Sequence, residues 1–277
     1  MRAKTIFLFL TLFPAMSLVR LRAEVEFLPD DRARTFFAGE NRPVAVKIRN
    51  PSDQPVEMDL RTQIYQANSG TTLAIGAPKY WKKLQLPASQ TALETTPLTF
   101  PPVKNETRFL VEWLNEKNNV VGKTDVKIYP ANLLLALRPL CGAKPPGIFD
   151  PENQLKPLLK ASALEFDDLE EGRLDSFSGA LAIIGPFQSR LRLNPELSAE
   201  IQALSKKGTP VVWIQPPKKR WPKLQPSYYI VPQKKVATII VQAGLVADLA
   251  ENPAAQLNLI YFCQLAVHPQ TPALPAQ

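Results

Sequence analysis

The hydrophobic pattern of this chain changes its period once, near Pro130. Before that point apolar positions alternate: Val44, Val46 and Ile48; Val56, Met58 and Leu60, with Ile64 closing the stripe; Phe109, Val111 and Trp113; Val126 and Ile128. A period of two puts each set on one face of an extended segment, which predicts half-buried strands. Turn chemistry separates the runs at Asn50-Pro51-Ser52-Asp53, Asn68-Ser69-Gly70 and Asn115 to Asn119, where asparagines tolerate positive φ. Pro43, which lacks an N–H, is expected just ahead of a strand beginning at Val44. About 105 residues from Glu24 to Pro130 without a helical stripe predict an antiparallel sandwich.

Beyond Pro130 the apolar residues come in short continuous runs, Leu133–Leu137, Ala180–Ile184, Val211–Ile214 and Val236–Val241, with Thr238 the single polar interruption. Such runs fit strands covered on both faces, as in a parallel sheet. Leu164–Phe166 reads as a weaker strand. Asp150-Pro151, Asn194-Pro195 and Asn252-Pro253 each place an Asx cap before a proline suited to the first helical position. Leu155, Leu158 and Leu159, and then Leu197, Ile201 and Leu204, follow at helical spacing, with Gly208 as a stop and Pro157 set to kink or restart the first helix. The alternation predicts a doubly wound α/β domain over 131–277, with flavodoxin-like strand order.

Two resemblances follow from these residues. The strand layout of 24–130 resembles the immunoglobulin-like modules of secreted bacterial proteins, without their inter-sheet cysteine pair. The segment Leu174-Asp175-Ser176-Phe177-Ser178-Gly179-Ala180-Leu181-Ala182-Ile183-Ile184-Gly185, then a helix ending Lys207-Gly208 and the strand Pro210–Ile214, resembles the core of class I glutamine-amidotransferase-like domains. That family carries a cysteine between glycines after a strand; here Cys141 lies between Leu140 and Gly142. His268-Pro269-Gln270 is similar to its His-Pro-Glu, with Gln270 in place of the acid. The resemblance implies the fold with the catalytic chemistry degenerate.

Composition narrows the class. In 277 residues, 45% are hydrophobic and 21% charged, which excludes a disordered tail, a coiled coil or a multi-span membrane protein, and 28 prolines against 11 glycines enforce many turns. Arg2 and Lys4 precede the apolar run Thr5–Val19, and Leu21-Arg22-Ala23 offers a small residue at a cleavage point, so 1–23 reads as a secretory signal. The run is short for a membrane span, and the mature chain is expected to have none. Arg20 and Arg22 after the apolar core leave an uncleaved anchor as the alternative. Cleavage removes four positive charges and no acid, lowering the net charge from +8 to +4. A periplasmic or secreted, mildly basic protein follows, with nucleic acid excluded as a partner.

The candidate chemistry is sparse. Cys141, Cys263 and His268 cannot make a four-ligand zinc site by themselves, no Gly-x-Ser-x-Gly elbow occurs, and Gly142–Gly147 lacks the end of a phosphate loop, so no catalytic residue, cofactor or metal is expected. The cysteines are expected at opposite edges of the sheet and unbonded. Glu165, Asp167, Asp168, Glu170, Glu171 and Asp175 form an acidic stretch that supports a rival reading, a hydrolase or transferase with Asp167 or Asp168 as base. Between Pro216 and Lys235, cations and aromatics interleave without an acid, and Lys218, Lys219, Arg220, Trp221 and Tyr228 are the candidate ligand-binding residues. Lys79-Tyr80-Trp81-Lys82-Lys83 repeats the pattern as a strand edge guarded by lysines. The sequence thus predicts an exported, non-catalytic binding or scaffolding protein of the bacterial cell envelope, whose partner is an anionic polymer, a glycan or an envelope protein.

Overall fold

The computed structural model describes residues 25–28, 34–39, 41–172, 174–185, 195–216, 228–233 and 235–269, and is a mixed α/β structure with three sheets. Up to Tyr129 the described residues form strands: β1 (Glu26–Leu28), β2 (Arg34–Phe37), β3 (Asn41–Arg49), β4 (Val56–Ala67), β5 (Thr72–Leu86), β6 (Thr91–Thr99), β7 (Thr107–Leu114) and β8 (Val120–Tyr129). One sheet has the order β1-β3-β6 and is antiparallel; the other runs β2-β8-β7-β4-β5, antiparallel except for β2 beside β8. The alternating residues meet where the pattern puts them. Val44, Val46 and Ile48 of the first sheet share one core with Leu60, Phe109, Val111, Trp113, Val126 and Ile128 of the second.

Local departures have local causes. Pro43 lies inside β3, opposite Pro97 of β6, rather than ahead of the strand. β1 pairs only with Lys47–Arg49, so no ladder on that side needs an N–H from Pro43. The hairpin between β7 and β8 turns as expected: Asn118 has φ 60°, and the Asn115 side chain accepts hydrogen bonds from the amides of Lys117 and Asn119.

After Pro130 the first apolar run does not form a strand. Leu133–Leu137 is a 3₁₀ turn that feeds α1 (Arg138–Cys141). Leu134, Leu137 and Cys141 are the buried members, a helical spacing, and Pro139 occupies the first turn. The elements that follow are β9 (Gly147–Phe149), α2 (Lys156–Ala161), β10 (Asp167–Asp168), β11 (Ala182–Ile184), α3 (Pro195–Lys206), β12 (Val211–Gln215), β13 (Tyr228–Pro232), β14 (Ala237–Gln242) and α4 (Pro253–Val267). They build a six-stranded sheet ordered β10-β9-β11-β12-β14-β13, parallel throughout except for the terminal hairpin of β13 with β14. The weaker strand expected at Leu164–Phe166 does not form; β10 begins directly after it, at Asp167. Thr238, the polar residue within β14, is buried and pairs its hydroxyl with Ser205 of α3 at 2.6 Å.

Helix starts follow the capping chemistry unevenly. At α4 the Asn252 side chain accepts from the Ala254 amide, and α3 begins at Pro195 and ends at Lys206, two residues before Gly208, whose φ is 89°. The helix expected from Pro151 instead starts at Lys156, because Pro157 fits a first turn and not a helix interior. Asp150 still caps it from a distance: its Oδ2 accepts from the amides of Leu155 and Lys156, at 2.6 and 3.0 Å.

Candidate functional site

The carboxyl ends of the parallel strands gather the acids. β9 ends at Phe149, directly before Asp150, and the neighbouring β10 is Asp167–Asp168 itself, leading into Leu169 and Glu170. α2 returns across this edge and brings Lys156, whose Nζ lies 2.7 Å from Asp168 Oδ2 and 2.5 Å from Glu170 Oε1. Glu170 Oε1 also accepts from the Asp150 amide, and Asp168 Oδ1 from the Glu170 amide, both at 3.0 Å. The Lys156 side chain is only 10% exposed. Burial by itself lowers its pKa, but hydrogen bonding to Asp168 and Glu170 outweighs this and raises it. Burial likewise works against ionised Asp168, yet the bond from Lys156 and the Glu170 amide lower its pKa. Lys156 and Asp168 are therefore held charged at neutral pH.

That arrangement is a structural clamp and a poor acid–base pair. General acid–base work at neutral pH needs one carboxyl whose pKa is pushed upward in an apolar setting. Asp167 and Asp168 are instead exposed, and Asp168 is driven the other way. Among the described residues, no group of three or more His, Cys, Asp or Glu is placed to hold a metal ion. Asp150, by contrast, is 1% exposed, and its Oδ1 has no hydrogen-bond partner among the described residues. Sequence reasoning missed Lys156 and read Asp150 only as a helix cap. The signal available was a lone lysine among leucines directly before a proline, which marks the helix start and gives no hint of the strand ends it reaches.

The thiols occupy an unreactive setting. Cys141 and Cys263 are free and buried in the same core cluster. The expected separation across the sheet does not hold, because α1 replaces the expected strand and packs against α4. Burial raises the pKa of both thiols, and at Cys263 the charge of Cys141 adds to it. Both are thus protonated at neutral pH, the opposite of an activated nucleophile. His268 is exposed at the C-cap of α4.

Of the candidate ligand-binding residues, Lys218, Lys219, Arg220 and Trp221 lie outside the described residues. Tyr228 opens β13, and its half-buried ring packs against Phe262 of α4 with centroids 5.1 Å apart. Burial and a hydrogen bond with Tyr261 raise its pKa. Tyr229, from the same basic-aromatic stretch, is the second residue of that strand and exposed. In the first part of the chain, β5 is the terminal strand of its sheet and carries Lys79, Lys82 and Lys83. Trp81 tilts against Trp113 at 4.8 Å, Lys82 Nζ lies 2.7 Å from Glu94, and Lys83 pairs with Glu57. This basic-aromatic run is a strand edge with its tryptophan turned to the core.

No transmembrane-length apolar helix is present among the described residues. No protein-family model matches the chain, and no curated protein matches it. Similar solved structures include an alkylpurine DNA glycosylase of Pseudomonas fluorescens bound to DNA, 16% identical over 39% of this chain and 31% of that one, with a TM-score of 0.28. A β-glucosidase of Listeria innocua is 17% identical over 39% of this chain and 16% of that one, with a TM-score of 0.30. A β-glucosidase of Bifidobacterium adolescentis is 13% identical over 39% and 17%, with a TM-score of 0.28. The chain thus spans under a third of the length of each protein, and likenesses this slight do not distinguish one fold from another.

Proposed function

We propose that this chain is an exported, non-catalytic binding or scaffolding protein of the bacterial cell envelope, recognising an anionic polymer, a glycan or a partner protein through the basic-aromatic segment that precedes β13. The carrying observation is that the groups a catalytic reading needs are committed elsewhere: Asp168 and Glu170 to Lys156, and both thiols to the core. The architecture we infer is an immunoglobulin-like sandwich over 24–130 followed by a doubly wound, flavodoxin-like domain over 131–277, akin to a catalytically degenerate class I glutamine-amidotransferase-like domain. Two facts support it. The first two sheets share one core, and the buried cores divide near residue 130. The parallel strands, renumbered along the chain, run in the order 2-1-3-4-5. The basic segment leaves the carboxyl end of β12, the side on which open α/β sheets bind ligands.

The test is a screen of residues 24–277 against anionic polymers and glycans, with Lys218→Ala/Lys219→Ala/Arg220→Ala and Trp221→Ala alongside. The reading expects binding to anionic members, weakened by the triple substitution, and a loss of about 1 to 3 kcal/mol with Trp221→Ala if its ring stacks on the ligand. Absence of binding across the screen, or binding untouched by either variant, overturns it.

A further inference from the structure

β9 and β11 are parallel neighbours in the six-stranded sheet, and the helices that follow them cover opposite faces. After β9 comes α2, whose Leu155 and Leu159 lie in the core that also holds Cys141 and Cys263; after β11 comes α3, whose Leu197, Ile201 and Leu204 lie in a separate core on the other face. Where adjacent parallel strands send the chain to opposite faces, a crevice opens outside their carboxyl ends, and open α/β sheets bind ligands there. Gly185, directly after β11, has φ 112° and adds no side chain to this place, while its amide donates to the Phe149 carbonyl at 2.8 Å and holds the two strand ends together.

Asp150, directly after β9, is 1% exposed, and its carboxyl is fixed in place. Oδ2 accepts from the amides of Leu155 and Lys156, and the Asp150 amide donates to Glu170 Oε1. Oδ1 is buried with no hydrogen-bond partner among the described residues. A buried acceptor left unpaired is costly, and turning this carboxyl over only exchanges one oxygen for the other. The groups around it say what kind of donor fits. The strand ends bring the carboxyls of Asp150, Asp168 and Glu170 against one ammonium, that of Lys156, which is bound to the last two. That balance of formal charge disfavours an anion and favours a cation. A metal ion needs several oxygens at once, and no group of three or more His, Cys, Asp or Glu among the described residues is placed to supply them. One free carboxyl oxygen suits a single N–H donor, and a charged donor makes the strongest such bond. Because Asp150 is covered, the donor must arrive on a slender end, which fits a primary ammonium better than a planar guanidinium.

We propose that the crevice outside the ends of β9 and β11 binds a small primary amine, whose ammonium donates to Asp150 Oδ1. The ammonium completes the pairing of the buried carboxyl, and Asp168 and Glu170 add attraction at longer range while they stay bound to Lys156. The site is separate from the basic segment on which the proposed function rests, so either stands without the other.

The probe is ethanolamine, titrated into the purified protein at neutral pH and followed by two-dimensional amide NMR. Saturable shifts are expected at the amides of Asp150, Glu170 and Gly185. Two control ligands separate the parts of the interaction: N-acetylethanolamine lacks the charge, and tetramethylammonium lacks the N–H. Each should bind about tenfold more weakly than ethanolamine, or not at all. Asp150→Asn keeps an oxygen for the amides of Leu155 and Lys156 and removes the charge, so it should melt like the parent and bind ethanolamine about tenfold more weakly or worse. Should that variant fail to fold, Asp150→Ser, which also caps a helix, and the two control ligands decide. Absence of saturable shifts with millimolar ethanolamine, or shifts confined to other parts of the protein, overturns the site. Equal binding of tetramethylammonium overturns the directed hydrogen bond, equal binding of N-acetylethanolamine overturns recognition of the ammonium, and equal binding by Asp150→Asn overturns Asp150 as its acceptor. A failed screen of anionic polymers and glycans beside bound ethanolamine sinks the basic segment alone.

Discussion

Lys156→Met isolates the clamp at the strand ends. Methionine keeps most of the stem volume and removes the charge, leaving Asp168 and Glu170 facing each other without a cation. Breaking a fully buried ion pair costs about 3–5 kcal/mol, whereas an exposed pair is worth about 1 kcal/mol or less. Here the lysine is 10% exposed and its partners 38% and 32%, so screening discounts the buried figure. We expect a loss of about 2 kcal/mol, which in a unit of 150–250 residues lowers the melting temperature by about 4–8 °C. The pH dependence gives the sharper signature. The Asp168 pKa is depressed below its ordinary 3.8, so its stabilisation is present above that value and is lost as pH falls through the lower folded-state pKa. Thermal melts followed by circular dichroism should therefore show a gap between wild type and variant at pH 7 that narrows below about pH 4. Adding Asp168→Asn and Glu170→Gln to the variant should recover part of the loss. Equal melting at pH 7, or a gap that persists into strong acid, would refute the assignment of these acids to a structural clamp.

Other consequences can be checked separately. Gly122→Ala places a Cβ 2.4 Å from Phe27 Cγ and 2.6 Å from its Cβ, so β1 must shift; calorimetry should show a loss of about 1–3 kcal/mol, and an unchanged melting temperature would contradict that packing. The buried thiols should react slowly with a thiol reagent in the folded protein and count as two free groups in denaturant, a count of zero being the contrary result. Mass spectrometry of the protein from its host should find an N-terminus near Glu24, and recovery of Met1 in the soluble exported fraction would sink the export reading.

The strands of the first part were legible where one face is uniformly apolar, as at Val44–Ile48, Phe109–Trp113 and Val126–Ile128. β6 was not, because its inward positions include Glu94 and Thr96, and only the tertiary contact of Lys82 with Glu94 makes an acid acceptable there. In the second part the sequence identified β11, β12 and β14, all buried runs. Leu133–Leu137 failed because a continuous apolar run carries no period; spacing of burial at Leu134, Leu137 and Cys141 decides for a helical path, and burial is a tertiary property. β9 and β10 are two or three residues long, too short for any pattern, and the acids of the strand-end cluster lie in β10 or directly after the two strands, Asp150 after β9 and Glu170 after β10. The clamp was therefore half visible: the acids stood out as a run, while Lys156 and Asp150 come from elements whose placement only the sheet order reveals.

The most direct test of the central claim is the salt dependence of binding to an anionic polymer by residues 24–277 and by Lys218→Ala/Lys219→Ala/Arg220→Ala. If these cations neutralise the ligand, wild-type affinity falls steeply with salt, and the triple variant binds more weakly with a flatter slope. Parallel slopes and equal affinities, with both proteins melting at the same temperature, would contradict the claim that this segment recognises an anionic partner.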